Sequence, residues 1–392
     1  MSRYHSYLNS AKQILHQFRG EEPFASFIKR FFSQQKKYGS KDRKQISHLC
    51  YSYFRLGKAG SDLPVDERIL LSLFLCSTES NDILEQLKPE WNEKAKRSLE
   101  EKLSSIHYQL SPESVFPWAE KLSEGIDHRK FCESFFIQPD LFLRLRPGKE
   151  KNVIEKLQDA GIMFKKISSS CLALPNATKV ENIIELDKEA VVQDYNSQGV
   201  GDFFQTAGHL PSVIRAWDCC AASGGKSLLL YDINPTIDLT VSDVRKSILI
   251  NLEKRFEKAG IENYNSFVAD LSTGQTAKSD QTGFFDLIIC DAPCTGSGTW
   301  SRTPEQLFYF NEIKIEQYAS LQKKILLNAV DHLKAGGYFL YITCSVFKKE
   351  NEEIADFIRQ EFRPELIKME LLKGYDKKAD TMFAALFRKS IA

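Results

Sequence analysis

The apolar positions of the first 135 residues recur every three to four places. Tyr7, Ala11, Ile14, Leu15 and Phe18 form one stripe, Phe24, Phe27, Ile28 and Phe31 a second, and Ile46, Leu49, Cys50, Tyr53 and Phe54 a third. That period puts each set on one face of a helix. No alternation of period two interrupts it, and Pro64, Pro89, Pro112 and Pro117 mark breaks between helices. Residues 1–135 are therefore expected to form an all-α domain. Over residues 136–190 the pattern changes. Phe142-Leu143-Arg144-Leu145-Arg146 alternates like a strand and runs into Pro147-Gly148. Residues 153–160 read as a helix ended by Gly161, and short strand-like runs follow near 164–167 and 172–174. This predicts a small α+β domain. Arg144 and Arg146 fall on one strand face and are candidates for phosphate contact.

From residue 191 to 392 strands and helices alternate, which predicts an α/β domain with a mostly parallel sheet. Strands are expected near residues 213–218, 238–243, 264–270, 286–291 and 338–343, with helices at 225–231, 246–259 and 313–333. Gly260 and Gly336-Gly337 stop the last two helices. Several strands end in polar or reactive residues. Asp218 leads into Cys219-Cys220-Ala221-Ala222-Ser223-Gly224-Gly225-Lys226, Asp291 into Ala292-Pro293-Cys294, and Thr343 into Cys344-Ser345. In doubly wound folds, strand ends of this kind line one crevice at the carboxyl edge of the sheet, where ligands bind.

Composition narrows the reading. The net charge of +1 conceals a segregation: residues 1–60 carry twelve Lys/Arg against three Asp/Glu, while residues 62–135 carry nine against fifteen. A basic face beside an acidic one suits phosphate binding on a near-neutral protein. No apolar run approaches the ~18 residues of a membrane span, and the first residues lack a signal-peptide core, so a cytoplasmic protein is expected. The nine cysteines include no pairs at zinc-ligand spacing. They are expected to be thiols, with no metal bound.

The glycine loop lacks the three spaced glycines of a pyrophosphate cradle. Asp243 and Asp270 end the next two strands, where acids accept hydrogen bonds from ribose hydroxyls and from an adenine amino group. The set fits S-adenosyl-L-methionine, which has ribose and adenine but no phosphate. The two cysteines at the sheet edge suggest covalent chemistry. A thiolate that adds to an electrophilic carbon splits one hard step into easier ones. Chemistry alone leaves open whether Cys294 or Cys344 attacks.

These motifs resemble the RsmB/Nop/Sun family of RNA (cytosine-5)-methyltransferases. The resemblance is dense over residues 190–390: Val192-Gln193-Asp194 with Ser197-Gln198, the Cys-Ala-Ala-Ser-Gly-Gly-Lys loop, Asp243, Asp270, Asp291-Ala292-Pro293-Cys294, Arg302 with Pro304, Thr343-Cys344-Ser345, Glu350-Asn351-Glu352 and the closing residues 380–386. It implies a Rossmann-like class I methyltransferase domain, with Cys344 as nucleophile, Cys294 in release, Asp291 contacting cytosine and Lys226 orienting Asp291 or substrate. Cys220, Ala221, Ala222, Ser223, Gly224, Gly225, Lys226, Asp243, Asp270 and Asp291 would bind S-adenosyl-L-methionine. Ser223 departs from the family, which usually has proline there. Residues 41–55 resemble, more weakly, a helix of the NusB-like RNA-binding domain carried by RsmB-type members. That implies ribosomal RNA, 16S first, as substrate, with transfer RNA as second choice. A non-catalytic RNA-binding scaffold is the alternative, but it would have no need of two thiols at the sheet edge. An amino methyltransferase would carry an Asp/Asn-Pro-Pro-aromatic loop in place of Asp291-Ala292-Pro293-Cys294. Phe308, Tyr309 and Phe310 read as core packing, with base stacking as the other option, and Glu350-Asn351-Glu352 reads as a structural helix start.

Overall fold

The structure is a computed structural model describing residues 2–207, 214–274 and 284–391. It divides into two compact units. The first comprises residues 1–122, 126–138 and 299–311, and the second residues 123–125, 139–298 and 312–392.

The first unit is helical. Its main helices run Arg3–Gln17, Phe24–Gln34, Ser40–Arg55 and Val65–Cys76. The stripes seen in the sequence supply its core: Ala11, Ile14, Phe24, Ile46, Leu49 and Phe54 are fully or almost fully buried. Residues 299–311, which follow the Pro-Cys loop in sequence, complete this unit through Trp300 and the short helix Pro304–Tyr309. Phe308 packs against Tyr53 and Phe54, Tyr309 against Phe18, and Phe310 against Trp118 and Trp300.

In the second unit a small antiparallel sheet has the order β2-β3-β1-β4, formed by β1 (Leu141–Leu145), β2 (Lys165–Lys166), β3 (Cys171–Leu174) and β4 (Ala190–Val192). The expected phosphate role for Arg144 and Arg146 is not supported. Both side chains are nearly buried and pair with Asp232, and Arg146 also donates to the carbonyls of Asp187 and Ala259. The two guanidinium groups surround one buried carboxylate inside the unit, which leaves neither turned to solvent for a phosphate.

The main sheet has seven strands: β5 (Arg215–Asp218), β6 (Asp238–Asp243), β7 (Tyr264–Val268), β8 (Phe285–Asp291), β9 (Leu333–Thr343), β10 (Glu365–Leu372) and β11 (Met382–Arg388), in the order β10-β11-β9-β8-β5-β6-β7. Strands β5 to β9 are parallel, while β11 runs antiparallel to β9 and β10 antiparallel to β11. This is the α/β class I methyltransferase architecture expected. The expected start of the first of these strands, Val213, lies outside the described residues. The helix Lys246–Ala259 matches its expected bounds and ends at Gly260 in the left-handed conformation. The helix expected to reach residue 333 stops at Ala329, because Leu333 is recruited into β9 opposite Phe285. Apolar residues bury both faces of the sheet, which is why the strands read as continuous hydrophobic runs.

Candidate active site

Asp218, Asp243, Asp291 and Thr343 stand at the carboxyl ends of β5, β6, β8 and β9. The loops behind them meet at one edge of the sheet. The turn after β5 is tight: Ala222 and Gly224 both have positive φ. A side chain on Gly224 would come within 2.7 Å of the Phe256 ring, so glycine is required by both backbone and packing. Ser223, in the place of proline, is fastened another way. Arg255 donates to its carbonyl at 2.8 Å and to its hydroxyl at 3.1 Å, while pairing with Asp187.

Five of the expected cofactor residues, Cys220, Ala222, Asp243, Asp270 and Asp291, line one cavity of about 360 Å³. Ala221, Ser223, Gly224, Gly225 and Lys226 are not among its lining; they build the turn and the start of the helix Gly225–Ile233. Asp243 accepts from the Ala222 N–H at 3.0 Å and from the N–H and side chain of Arg245, so it also holds the turn in place. Asp270 accepts from the N–H and hydroxyl of Ser272. The opposite wall is apolar: Leu271 and, from the helix Ile313–Ala329, Tyr318, Leu321 and Ile325. Sequence reasoning did not assign that wall to the site, although the three helix residues share the spacing of one face.

The two cysteines meet. Cys294 Sγ and Cys344 Sγ lie 3.4 Å apart. The contact with Cys344, then burial, holds the Cys294 thiol well above its ordinary pKa. Lys226 donates to Asp291 at 3.0 Å. Burial opposes the lysine's charge, but Asp291, Cys344 and Asp218 around it outweigh burial and raise its pKa. Asp218 is entirely buried, and desolvation raises it to about 7 against the hydrogen bond from Ser227.

Both cysteine loops are fastened to each other. Ala292 N–H donates to the Ile342 carbonyl, and Gly298 N–H to that of Cys344. Any Cβ on Gly298 would fall 1.9 Å from the Thr381 carbonyl oxygen, so only glycine fits there. Glu350 accepts from the N–H and hydroxyl of Thr295 in one loop and from the Ser345 hydroxyl in the other. Burial pushes the Glu350 pKa up against those donors. Asn351 bonds Thr343 and the Ser345 carbonyl. This pair stands just ahead of the helix Glu352–Phe362, as read from the sequence, and also ties the cysteine loops together. Asp194 and Asn196 similarly anchor the closing segment, through the Asp380 N–H and the carbonyls of Leu372 and Asp380.

A family profile described as 16S rRNA methyltransferase RsmB/F matches residues 213–387, the stretch that carries this cavity and both cysteines. Over that stretch the chain is similar to the RsmB/F methyltransferases. The ribosomal RNA small subunit methyltransferase B of Xylella fastidiosa (strain 9a5c) is 30% identical over 246 residues, covering 60% of this chain and 57% of that protein. The 28S rRNA (cytosine-C(5))-methyltransferase of Mus musculus is 32% identical over 148 residues, covering 36% of this chain and 18% of that protein. The chain thus spans little more than half of the first of these relatives and far less of the second. The crystal structure of PH0851 superposes with a TM-score of 0.65 at 19% identity, covering 94% of this chain and 95% of that chain, a likeness of fold.

Proposed function

We propose that this protein is an S-adenosyl-L-methionine-dependent RNA (cytosine-5)-methyltransferase acting on ribosomal RNA, with small-subunit 16S RNA as first choice. The observation that carries the reading is the pair of thiols 3.4 Å apart beside the Lys226–Asp291 ion pair. The names of the relatives favour ribosomal RNA.

The cavity suits the cofactor. Asp243 and Asp270 offer acceptors for ribose and adenine, and Tyr318, Leu321 and Ile325 offer an apolar wall. When bound, S-adenosyl-L-methionine supplies the methyl group to cytosine carbon 5. The residues of the chain prepare that carbon. Cys344 thiolate adds to carbon 6, forming the S–C6 bond while the C5–C6 π pair becomes available at carbon 5. Lys226 supplies the positive charge that favours a thiolate. Asp291, held by Lys226, faces the ring nitrogen 3 and amino group, where protonation accompanies addition. After methylation the carbon-5 proton goes to a base, the C5–C6 double bond reforms and the Cys344 sulfur leaves. Cys294, in contact with that sulfur, serves this release step. The target base must leave its stack, at a cost of a few kcal/mol.

The test separates the two cysteines. Cys344→Ala should abolish methylation and form no covalent RNA complex. Cys294→Ala should let addition and methyl transfer proceed and then accumulate a protein–RNA band that survives denaturing electrophoresis. The reverse pattern would exchange the two roles. Loss of a single 5-methylcytosine in bisulfite-sequenced RNA of cells lacking the protein would name the substrate.

A further inference from the structure

Three further sulfurs gather behind the cofactor cavity. Cys219 and Cys220 follow β5, and Cys290 is the penultimate residue of β8. The two strands are neighbours, and Cys219 N–H donates to the Ile289 carbonyl at 2.9 Å, which fixes the two chain segments side by side. The sulfurs of Cys219, Cys220 and Cys290 all lie within 4.8 Å of one another, the only such group of potential metal-binding side chains among the described residues. Cys219 and Cys290 are buried, Cys220 is partly exposed, and Cys219 and Cys220 line the cavity.

Packed thiols often serve only as small apolar groups. Here two features go beyond packing. Three sulfurs converge within 4.8 Å of one another, and two of the cysteines line a cavity with room for an ion's fourth ligand. Zinc–sulfur bonds of about 2.3 Å set the sulfurs of a tetrahedral site about 3.8 Å apart, so small side-chain shifts close the present spacing around an ion. We propose that Cys219, Cys220 and Cys290 form a three-thiolate site for a soft, thiophilic divalent cation of the zinc type, with its fourth position toward the cavity. Thiolate ligands select such ions over hard ones. Each thiol that ligates gives its proton to solvent, so binding strengthens as pH rises. The inference stands on the sulfur geometry and does not depend on the cofactor reading.

The full-length protein, stripped of metal by a chelator and kept reduced with a phosphine, is titrated with Cd²⁺, whose thiolate complexes absorb in the near ultraviolet. Wild type should take up one ion per chain with that absorption. Cys294→Ala/Cys344→Ala should do the same, since the other thiol pair is not the site. Cys220→Ala and Cys290→Ala should each lose the absorption and weaken binding by about tenfold or more, comparable with the loss of supporting groups at known metal sites. Cys220 is partly exposed, so Cys220→Ala decides the matter if Cys290→Ala fails to fold. Absorption that persists in Cys220→Ala, or that vanishes in Cys294→Ala/Cys344→Ala, overturns the assignment, as does a wild type that binds no ion.

Discussion

Asp218, at the end of β5, is a carboxyl group buried almost completely. It receives one hydrogen bond, 2.6 Å from the Ser227 hydroxyl to Oδ2, while its Oδ1 is buried with no partner among the described residues. Desolvation raises its pKa to about 7, against about 3.9 in an unfolded chain. The native state therefore binds the proton more tightly than the unfolded one. The stability linked to this group is full below pH 4 and is lost as pH rises through 7. Asp218→Asn keeps an acceptor for Ser227 and removes the charge. Its melting temperature should gain on wild type between pH 5 and pH 8, as read by scanning calorimetry; a constant difference across that range would mean that the carboxylate is ionised throughout. Nothing in the local sequence announces this burial. Asp218 is visible there only as the end of an apolar run, and its desolvation depends on β5 lying between β8 and β6. Arg144 and Arg146 teach the same lesson with opposite sign. Their spacing on a strand was legible, but Asp232, the acid that consumes them, stands almost ninety residues away in the chain.

At the scale of elements, the parallel strands were legible because both faces of the sheet are buried, and β5, β6, β8 and β9 each end at a polar residue that interrupts the apolar run. The bounds of β6 and of the helix Lys246–Ala259 agree to the residue, the latter because Gly260 provides a left-handed cap. What could not be read was which element fastens which. Glu350-Asn351-Glu352 does open the helix Glu352–Phe362, but that local reading does not reveal that the partners of Glu350 and Asn351 lie at the ends of β8 and β9 and in the loops after them. Glu350→Ala would remove the acceptor that Thr295 and Ser345 share, at a cost of about 1–3 kcal/mol. The spacing of Cys294 and Cys344 should loosen in consequence. Covalent adduct formation with RNA should slow by about tenfold, and S-adenosyl-L-methionine affinity by calorimetry should change little, because Glu350 does not line the cavity. Glu350→Gln, which restores acceptor and shape, should recover part of the rate. An unchanged rate in Glu350→Ala would assign the spacing to the backbone bonds from Ala292 and Gly298 alone.

At the scale of the molecule, the division into units differs from the division of the sequence. Composition and periodicity place residues 299–311 in the α/β stretch, yet they pack within the helical unit. Trp300, Leu307 and Phe310 are buried there, Lys58 donates to the carbonyls of Phe308 and Phe310, and Phe24 N–H donates to the side chain of Glu305. No local signal marks this detour, since an apolar segment states that it will be buried but not by what. A chain beginning at residue 139 would leave these side chains without their partners. It should self-associate in light scattering and melt below the full-length protein; a monomeric chain with an undiminished melting temperature would show that the segment can repack. The detour also has a temporal meaning. During synthesis an amino-terminal domain usually closes its core while the rest of the chain is still being made. Here the helical unit must stay incomplete, with Phe18, Tyr53 and Phe54 short of their last aromatic neighbours, until residue 311 has left the ribosome. By then β8 and Cys294 have already emerged while β9 to β11 have not, so the helical unit closes in the middle of the synthesis of the other and cannot be handed on through evolution as an uninterrupted cassette.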